Sequence, residues 1–137
     1  MDVHDKKTRR YNMMQIKGRN TKPEEVVRKY LFSKGFKYRK NYSKLPGTPD
    51  VVLPKYKTVI FVNGCFWHGH NGCRYYVVPK TNTEFWVNKI ETNIRRDLNK
   101  ARQLEELGWR VITVWECDLK NRNARENTLE NLVKQIK

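Results

Sequence analysis

The segment Asn63-Gly64-Cys65-Phe66-Trp67-His68-Gly69-His70-Asn71-Gly72-Cys73 sets two thiols, two imidazoles and two large aromatics on a glycine-punctuated loop after a hydrophobic run. Thiolate and imidazole are the ligands that tetrahedral zinc prefers. The chain's third cysteine, Cys117, lies far downstream. With Cys65, Cys73 and one of the two histidines it would complete a closed Cys3His site. His70 is the favoured histidine, because it divides the interval from Cys65 to Cys73 more evenly than His68. His68 is then left beside Phe66 and Trp67 to accept or relay a proton near neutral pH. The competing reading is three unrelated buried thiols, since only folding can bring Cys117 to the loop.

Asp50 is the second chemical candidate. It opens a short apolar segment after Leu45-Pro46-Gly47-Thr48-Pro49. A carboxylate there, opposite a backbone carbonyl of the adjacent strand, makes an oxygen-rich pocket suited to Mg2+. Divalent ions in such pockets clamp a scissile phosphate and activate water. Pro-Asp is also an ordinary turn dipeptide, and spacing alone favours that plainer role. Glu24, at a helix start, reads as a capping acid. The plain reading of the two aromatic pairs is core packing, which suits Phe85 or Trp86, whereas Phe66 and Trp67, on a polar loop, could wedge between base pairs. Asn93, Arg95, Arg96 and Asp97 fall on a long helix, where a solvated charged face is the plain reading.

These residues need a scaffold, and the rest of the chain supplies one. Thr21-Lys22-Pro23-Glu24 reads as a capping box with proline in the first turn. The helix it starts carries Val26, Val27, Tyr30 and Leu31 and should stop at Gly35. Extended segments are expected at 36–42, 50–53 and 58–62, the last a continuous β-branched and aromatic run of the central-strand kind. Positions 84–107 predict one long helix, with Phe85, Trp86, Ile90, Ile94, Leu98, Ala101, Leu104 and Leu107 at helical spacing and Gly108 at its end. Positions 110–115 predict another buried strand and 128–136 a short terminal helix. Residues 1–20 are polar and basic around Tyr11, Met13, Met14 and Ile16. They read equally as a helix lying on the core and as an arm that reaches a partner. The sum is a single small α/β domain spanning 1–137.

Composition narrows the partner. The chain has 137 residues, with 29 Lys plus Arg against 14 Asp plus Glu and a net charge of +15. The bases recur along the whole chain, and solubility needs nothing of this size. A polyanion is the expected partner, nucleic acid first among them. No signal peptide opens the sequence and no apolar run approaches the ~20 residues of a membrane span. Three cysteines argue against a secreted disulfide framework, so a cytoplasmic protein is expected.

The ordered matches across the chain resemble the very short patch repair (Vsr) endonucleases, bacterial enzymes that nick DNA beside a T:G mismatch. They begin with Asp2-Val3-His4-Asp5, Asn12-Met13 and Arg19-Asn20-Thr21 leading to Glu24. Leu45-Pro46-Gly47-Thr48-Pro49-Asp50, Val59-Ile60-Phe61-Val62 and Gly64-Cys65-Phe66-Trp67-His68 follow. Thr83-Glu84-Phe85-Trp86, Lys89-Ile90, Asn93, Arg96-Asp97, Leu107-Gly108-Trp109-Arg110-Val111 and Val114-Trp115-Glu116-Cys117 complete the series.

The resemblance implies a restriction-endonuclease-like core, a central mixed sheet flanked by helices, with a structural zinc. It implies Asp50 as the central Mg2+ ligand, with the Val62 backbone carbonyl as a second oxygen. His68 would be general base or proton relay, supported by Glu24 and Asp97, and Cys65, His70, Cys73 and Cys117 would hold Zn2+. Phe66, Trp67 and Trp86 would intercalate from the major groove, with Asn93 also on the DNA and Met13 approaching from the minor groove. Asn63 stands where a histidine is expected in the family, and Asn71-Gly72 lengthens the metal loop. No acid or lysine occupies 62–64, unlike the Asp…Glu-x-Lys nuclease pattern, and this favours the family.

The expected function is therefore Mg2+-dependent nicking 5′ to the thymine of a T:G mismatch left by deamination of 5-methylcytosine. The protein would act as a monomer on duplex DNA, with mismatch-repair proteins as further candidate partners. Two alternatives stand beside it. One is the same nuclease fold with another target, restriction-like or a different mismatch; the other is a non-catalytic, zinc-stapled binder of distorted DNA.

Overall fold

The computed structural model describes residues 21–137; the expected N-terminal arm, with Met13, lies outside them. Helix α1 (Lys22–Ser33) begins where expected, with Thr21 as N-cap accepting the Glu24 N–H on its side chain. Its end is a Schellman turn: Gly35, at φ +84°, donates to Phe32 O, and Phe36 donates to Leu31 O. The strands are β1 (Arg39–Lys40), β2 (Val51–Leu53), β3 (Thr58–Asn63) and β4 (Arg110–Trp115). Helix α2 (Thr83–Glu106) connects β3 to β4, and α3 (Arg122–Ile136) closes the chain. Gly108 ends α2 in the same way as Gly35 ends α1, donating to Glu105 O while Trp109 donates to Leu104 O.

The four strands lie in the order β1-β2-β3-β4, antiparallel for the first two pairs and parallel for β3 with β4. A parallel pair needs a long crossover, which α2 provides. Side chains alternate across the sheet and build two cores. On one face Val51, Leu53, Ile60, Val62, Ile112 and Val114 pack with Val27 and Leu31 of α1 and Leu129, Leu132 and Ile136 of α3. On the other face Val52 and Val59 meet Leu104 of α2, with Phe61, Trp109 and Val111 partly buried around them. The protein is thus a mixed α/β domain with helices on both faces of its sheet. Among the described residues no helix is long and apolar enough to cross a membrane.

Several expectations from the sequence need correction. The segment 36–42 is strand only at Arg39–Lys40, because Phe36 turns into the core before it and Asn41 takes φ +48° after it. β4 is an edge strand with Thr113 exposed, so its run is only half-buried. The terminal helix starts earlier, at Arg122, since Asn121 accepts the Ala124 N–H as N-cap. On α2, Phe85, Leu98 and Leu107 are exposed. Leu98 follows Asp97 directly, ~100° further round the helix and off the face that meets the sheet.

Candidate active site and metal centre

The sheet topology explains how distant residues meet. Asp50 immediately precedes β2, and the antiparallel pairing of Val51 with Ile60 puts it at the end where β3 leaves the sheet. There Val62 donates its backbone N–H to Asp50 Oδ2 at 2.7 Å. The link between these two residues thus runs through the Val62 nitrogen. Asn63, the last residue of β3, is buried and in register with Trp115 of β4.

Glu24 reaches the same place from the first turn of α1. It is buried and receives Arg28 Nη1 at 3.3 Å from the next turn. Glu24, Val27, Arg28 and Leu31 all lie on the buried face of α1. Arg28 was missed by sequence reading, although its i, i+4 spacing from Glu24 along that stripe was the available signal. Glu24 also stands against Asp50. Burial pushes the Asp50 carboxyl up from 3.8 to about 7, the Val62 N–H opposes the shift, the Glu24 carboxylate adds to it, and His68 opposes it. Two neighbouring carboxyls with too little positive charge between them make a fitting cation site, because a divalent ion would relieve that repulsion.

His68 completes the group from the loop after β3. Its Nδ1 donates to Asp97 Oδ2 at 2.6 Å, the aspartate coming from α2. Glu24, Asp50, Val62, Asn63, His68 and Asp97 all line one open cavity of about 950 Å³. Phe66 and Trp67 form part of its wall. With Trp86 these aromatics make a mutual edge-on cluster, centroids 5.3 Å apart for Phe66–Trp67, 5.5 Å for Phe66–Trp86 and 5.9 Å for Trp67–Trp86. All three are only partly buried, so the cluster is a surface feature. Phe85 caps it at 5.1 Å from Trp86 and is 46% exposed, against the expectation of a core residue.

Asn93 also departs from expectation. It is 6% exposed, and its Nδ2 donates to the Trp67 carbonyl at 2.9 Å. The solvated helix face therefore excludes Asn93, which fastens the aromatic loop to α2.

The four expected metal ligands come together. The Sγ atoms of Cys65, Cys73 and Cys117 and a ring nitrogen of His70 all lie within 4.8 Å of one another. Parallel register accounts for Cys117: Asn63 pairs with Trp115, so two residues beyond each strand end come Cys65 and Cys117. The Cys117 N–H donates to Cys65 Sγ at 3.4 Å. Tetrahedral zinc, with bonds of about 2.3 Å to sulfur and about 2.0 Å to nitrogen, sets its S and N ligands about 3.5 Å apart. Cys117 Sγ stands 3.5 Å from His70 Nδ1. The His70 ring is also stacked on Trp115, centroids 4.0 Å apart and planes at 6°. Burial pushes the Cys65 thiol up and Cys117 up to about 12, with the neighbouring thiols adding to the Cys117 shift. For Cys73 burial acts upward too, but the Tyr75 N–H and the other sulfurs outweigh it and the thiol falls below its ordinary value. Donors this crowded and hard to ionise together suit a bound cation that can hold them as thiolates.

Comparison with known proteins bears on what such a site does. Residues 1–74 match the family described as DNA mismatch endonuclease Vsr. The chain is 48% identical over 136 residues to the type II nicking enzyme V.NmeAIP of Neisseria meningitidis serogroup A, covering 99% of this chain and 96% of that one. It is 47% identical over 125 residues to the type II nicking enzyme V.XorIIP of Xanthomonas oryzae pv. oryzae, covering 91% of each. The DNA mismatch endonuclease Vsr of Escherichia coli K12 is 48% identical over 121 residues, covering 88% of this chain and 77% of that protein.

Proposed function

Since this chain belongs to the Vsr family of DNA mismatch endonucleases, we propose that it nicks duplex DNA at a T:G mismatch, hydrolysing the phosphodiester 5′ to the mismatched thymine. The convergence of Asp50, Glu24, His68 and Asp97 on one cavity, beside a partly exposed aromatic cluster, is the observation that carries this reading. In it the mixed sheet and its helices are a restriction-endonuclease-like core, residues 1–137 form one nuclease domain, and residues 1–20 are its DNA-contacting arm.

Each side chain has a definite part. Asp50, with the Val62 backbone carbonyl, would hold Mg2+, which when bound supplies the charge that clamps a scissile phosphate and lowers the pKa of water. Glu24 adds negative charge to the Asp50 pocket, and Arg28 keeps that buried carboxylate in place. Asp97 accepts the His68 Nδ1 proton, which fixes the tautomer and leaves Nε2 with the lone pair. Nε2 is then the atom that takes or relays a proton from the attacking water, and in-line displacement gives a 5′-phosphate.

Phe66, Trp67 and Trp86 enter the stack beside the mismatch, with the Asn93 side of α2 behind them. Cys65, His70, Cys73 and Cys117 would hold a structural Zn2+ that fixes the loop carrying His68 and the aromatics. The net charge of +15 supplies the phosphate contacts. An asymmetric lesion requires no two-fold protein, and the enzyme acts as a monomer in the bacterial cytoplasm.

Replacing Asp50 by Ala tests the reading, for nicking should vanish while mismatch binding persists. The relatives named type II nicking enzymes favour a second reading with the same hydrolysis but a different flanking sequence. A panel of T:G duplexes with varied neighbours separates the two.

A further inference from the structure

Gly69 lies between the expected proton-transfer residue and the expected metal ligand, and neither the proposed chemistry nor the metal site uses it. Its φ is +59°, and a Cβ built on it would stand 2.7 Å from Ile90 Cγ2, 2.7 Å from Ile94 Cδ1 and 3.2 Å from Ile94 Cγ1. Real Cβ atoms do not come so close, and Ile90 is fully buried, so it has no room to retreat. The Gly69 backbone is therefore pressed directly onto α2.

The neighbouring loop residues are fastened to the same stripe of that helix. Trp67 O accepts the Asn93 amide at 2.9 Å, and His68 Nδ1 donates to Asp97 at 2.6 Å. Ile90, Asn93, Ile94 and Asp97 stand at i, i+3, i+4 and i+7, one face of the helix. Three consecutive loop residues thus rest on four helix residues. The loop is wound tightly as well: His68, Gly69 and His70 donate their backbone N–H groups to Gly64, Phe66 and Cys65. Lifting Gly69 would carry its neighbours with it. Gly72 makes a natural control, since it lies in the same loop at φ +75° but a Cβ there would meet nothing within 4 Å.

We propose that Gly69 is a positioning residue, whose missing side chain lets the loop sink onto α2 and so sets the His68–Asp97 hydrogen bond. The inference rests on the reading of His68 as the proton-transfer group. It makes the fit between loop and α2, rather than the metal clamp alone, the determinant of where the imidazole stands.

The test compares Gly69→Ala, Gly72→Ala and Ile94→Ala. For each, single-turnover nicking of a saturating T:G duplex is measured beside duplex affinity by anisotropy, zinc content, and the NMR signal of the hydrogen-bonded His68 Nδ1 proton. Gly69→Ala should nick on the order of 10- to 100-fold more slowly, the penalty for a catalytic group displaced by up to about 1 Å. Its zinc content should stay within about twofold of the parent and its duplex affinity should fall less than the rate, while the Nδ1 proton signal should shift or broaden. Gly72→Ala, which shares the positive φ but whose Cβ meets nothing, should nick faster than Gly69→Ala, and Ile94→Ala, which removes part of the seat, should itself slow nicking and shift the Nδ1 signal.

The proposal is overturned if Gly69→Ala nicks as fast as Gly72→Ala, if zinc and affinity fall in proportion to rate, or if Ile94→Ala changes neither the rate nor the Nδ1 signal. Should Gly69→Ala not fold, Ile94→Ala decides: nicking must slow and the Nδ1 signal must shift while zinc is retained. His68→Ala in the same assay tells the two ideas apart. Full activity there sinks the reading of His68 itself, whereas an inactive His68→Ala beside a fully active Gly69→Ala sinks only the seating.

Discussion

Asn93 of α2 donates its side-chain amide to the backbone carbonyl of Trp67, 2.9 Å away and 26 residues back in the chain. This single bond ties the aromatic loop to the long helix that also supplies Asp97. Asn93→Ala would take the amide away from that partly exposed carbonyl, a loss of about 1 kcal/mol. Thermal unfolding should show that loss. Mismatch affinity should weaken with it, because Trp67 would no longer be held; equal affinity in the variant would mean that the aromatics need no such support.

Metal content gives the next prediction. The purified protein should carry one zinc per chain, and Cys117→Ser should lose it. Loss of the ion would release the join between the end of β4 and the Cys65 loop, lowering thermal stability and nicking together. After complete chelation, Mg2+ alone should fail to restore nicking, while Zn2+ followed by Mg2+ should succeed. Metal analysis with the nicking assay checks both halves.

Asp50 imposes a pH dependence on the metal-free fold. Its carboxyl lies at about 7 in the folded protein and near 3.8 otherwise, so between those values the folded state binds more protons than the unfolded one. Stability from this group is therefore fully present below about 4 and is lost as pH rises through about 7. Asp50→Asn should abolish that slope and, at pH 8, be more stable than the parent by about 1–3 kcal/mol. Chemical denaturation across pH 4–8 in the absence of divalent ions measures it. A parent whose stability over that range matches Asp50→Asn would contradict the raised carboxyl.

The Glu24–Arg28 pair makes a further prediction. Both side chains are almost fully buried, and removing one partner of such a pair costs about 3–5 kcal/mol. Arg28→Ala should be strongly destabilised and Glu24→Gln less so. Glu24→Gln should also bring the Asp50 carboxyl down, because the Glu24 charge is among the causes that raise it. Carboxyl titration by NMR reads that directly.

Much of this was legible in the sequence, for local reasons. Thr21 and Gly35 frame α1, and Gly108 ends α2, because caps and Schellman glycines act within a few residues. The Cys/His set was legible because ligand chemistry is restrictive, although only the parallel register of β3 and β4 brings Cys117 in. Periodicity marked α2 as a helix but not which of its positions meet the sheet. At ~36 Å the 24-residue helix outruns six-residue strands of ~20 Å. Phe85 and Leu107, at its two ends, therefore stay exposed, Leu98 is exposed because it points off the sheet-facing side, and polar Asn93 is buried against the Trp67 carbonyl. Arg28 was missed because a base four residues after an acid usually marks a solvated helix pair, and only the packing of α1 shows that this one is buried.

In the proposed function this cavity cuts one strand beside a mismatched thymine. Single-turnover nicking with Mg2+ on an end-labelled duplex carrying one T:G pair, beside its T:A counterpart and an Asp50→Ala control, tests it most directly. A nick 5′ to the thymine of the T:G duplex alone is expected, absent in the variant although the variant still binds. Equal cutting of the matched duplex, or undiminished cutting by Asp50→Ala, would contradict it.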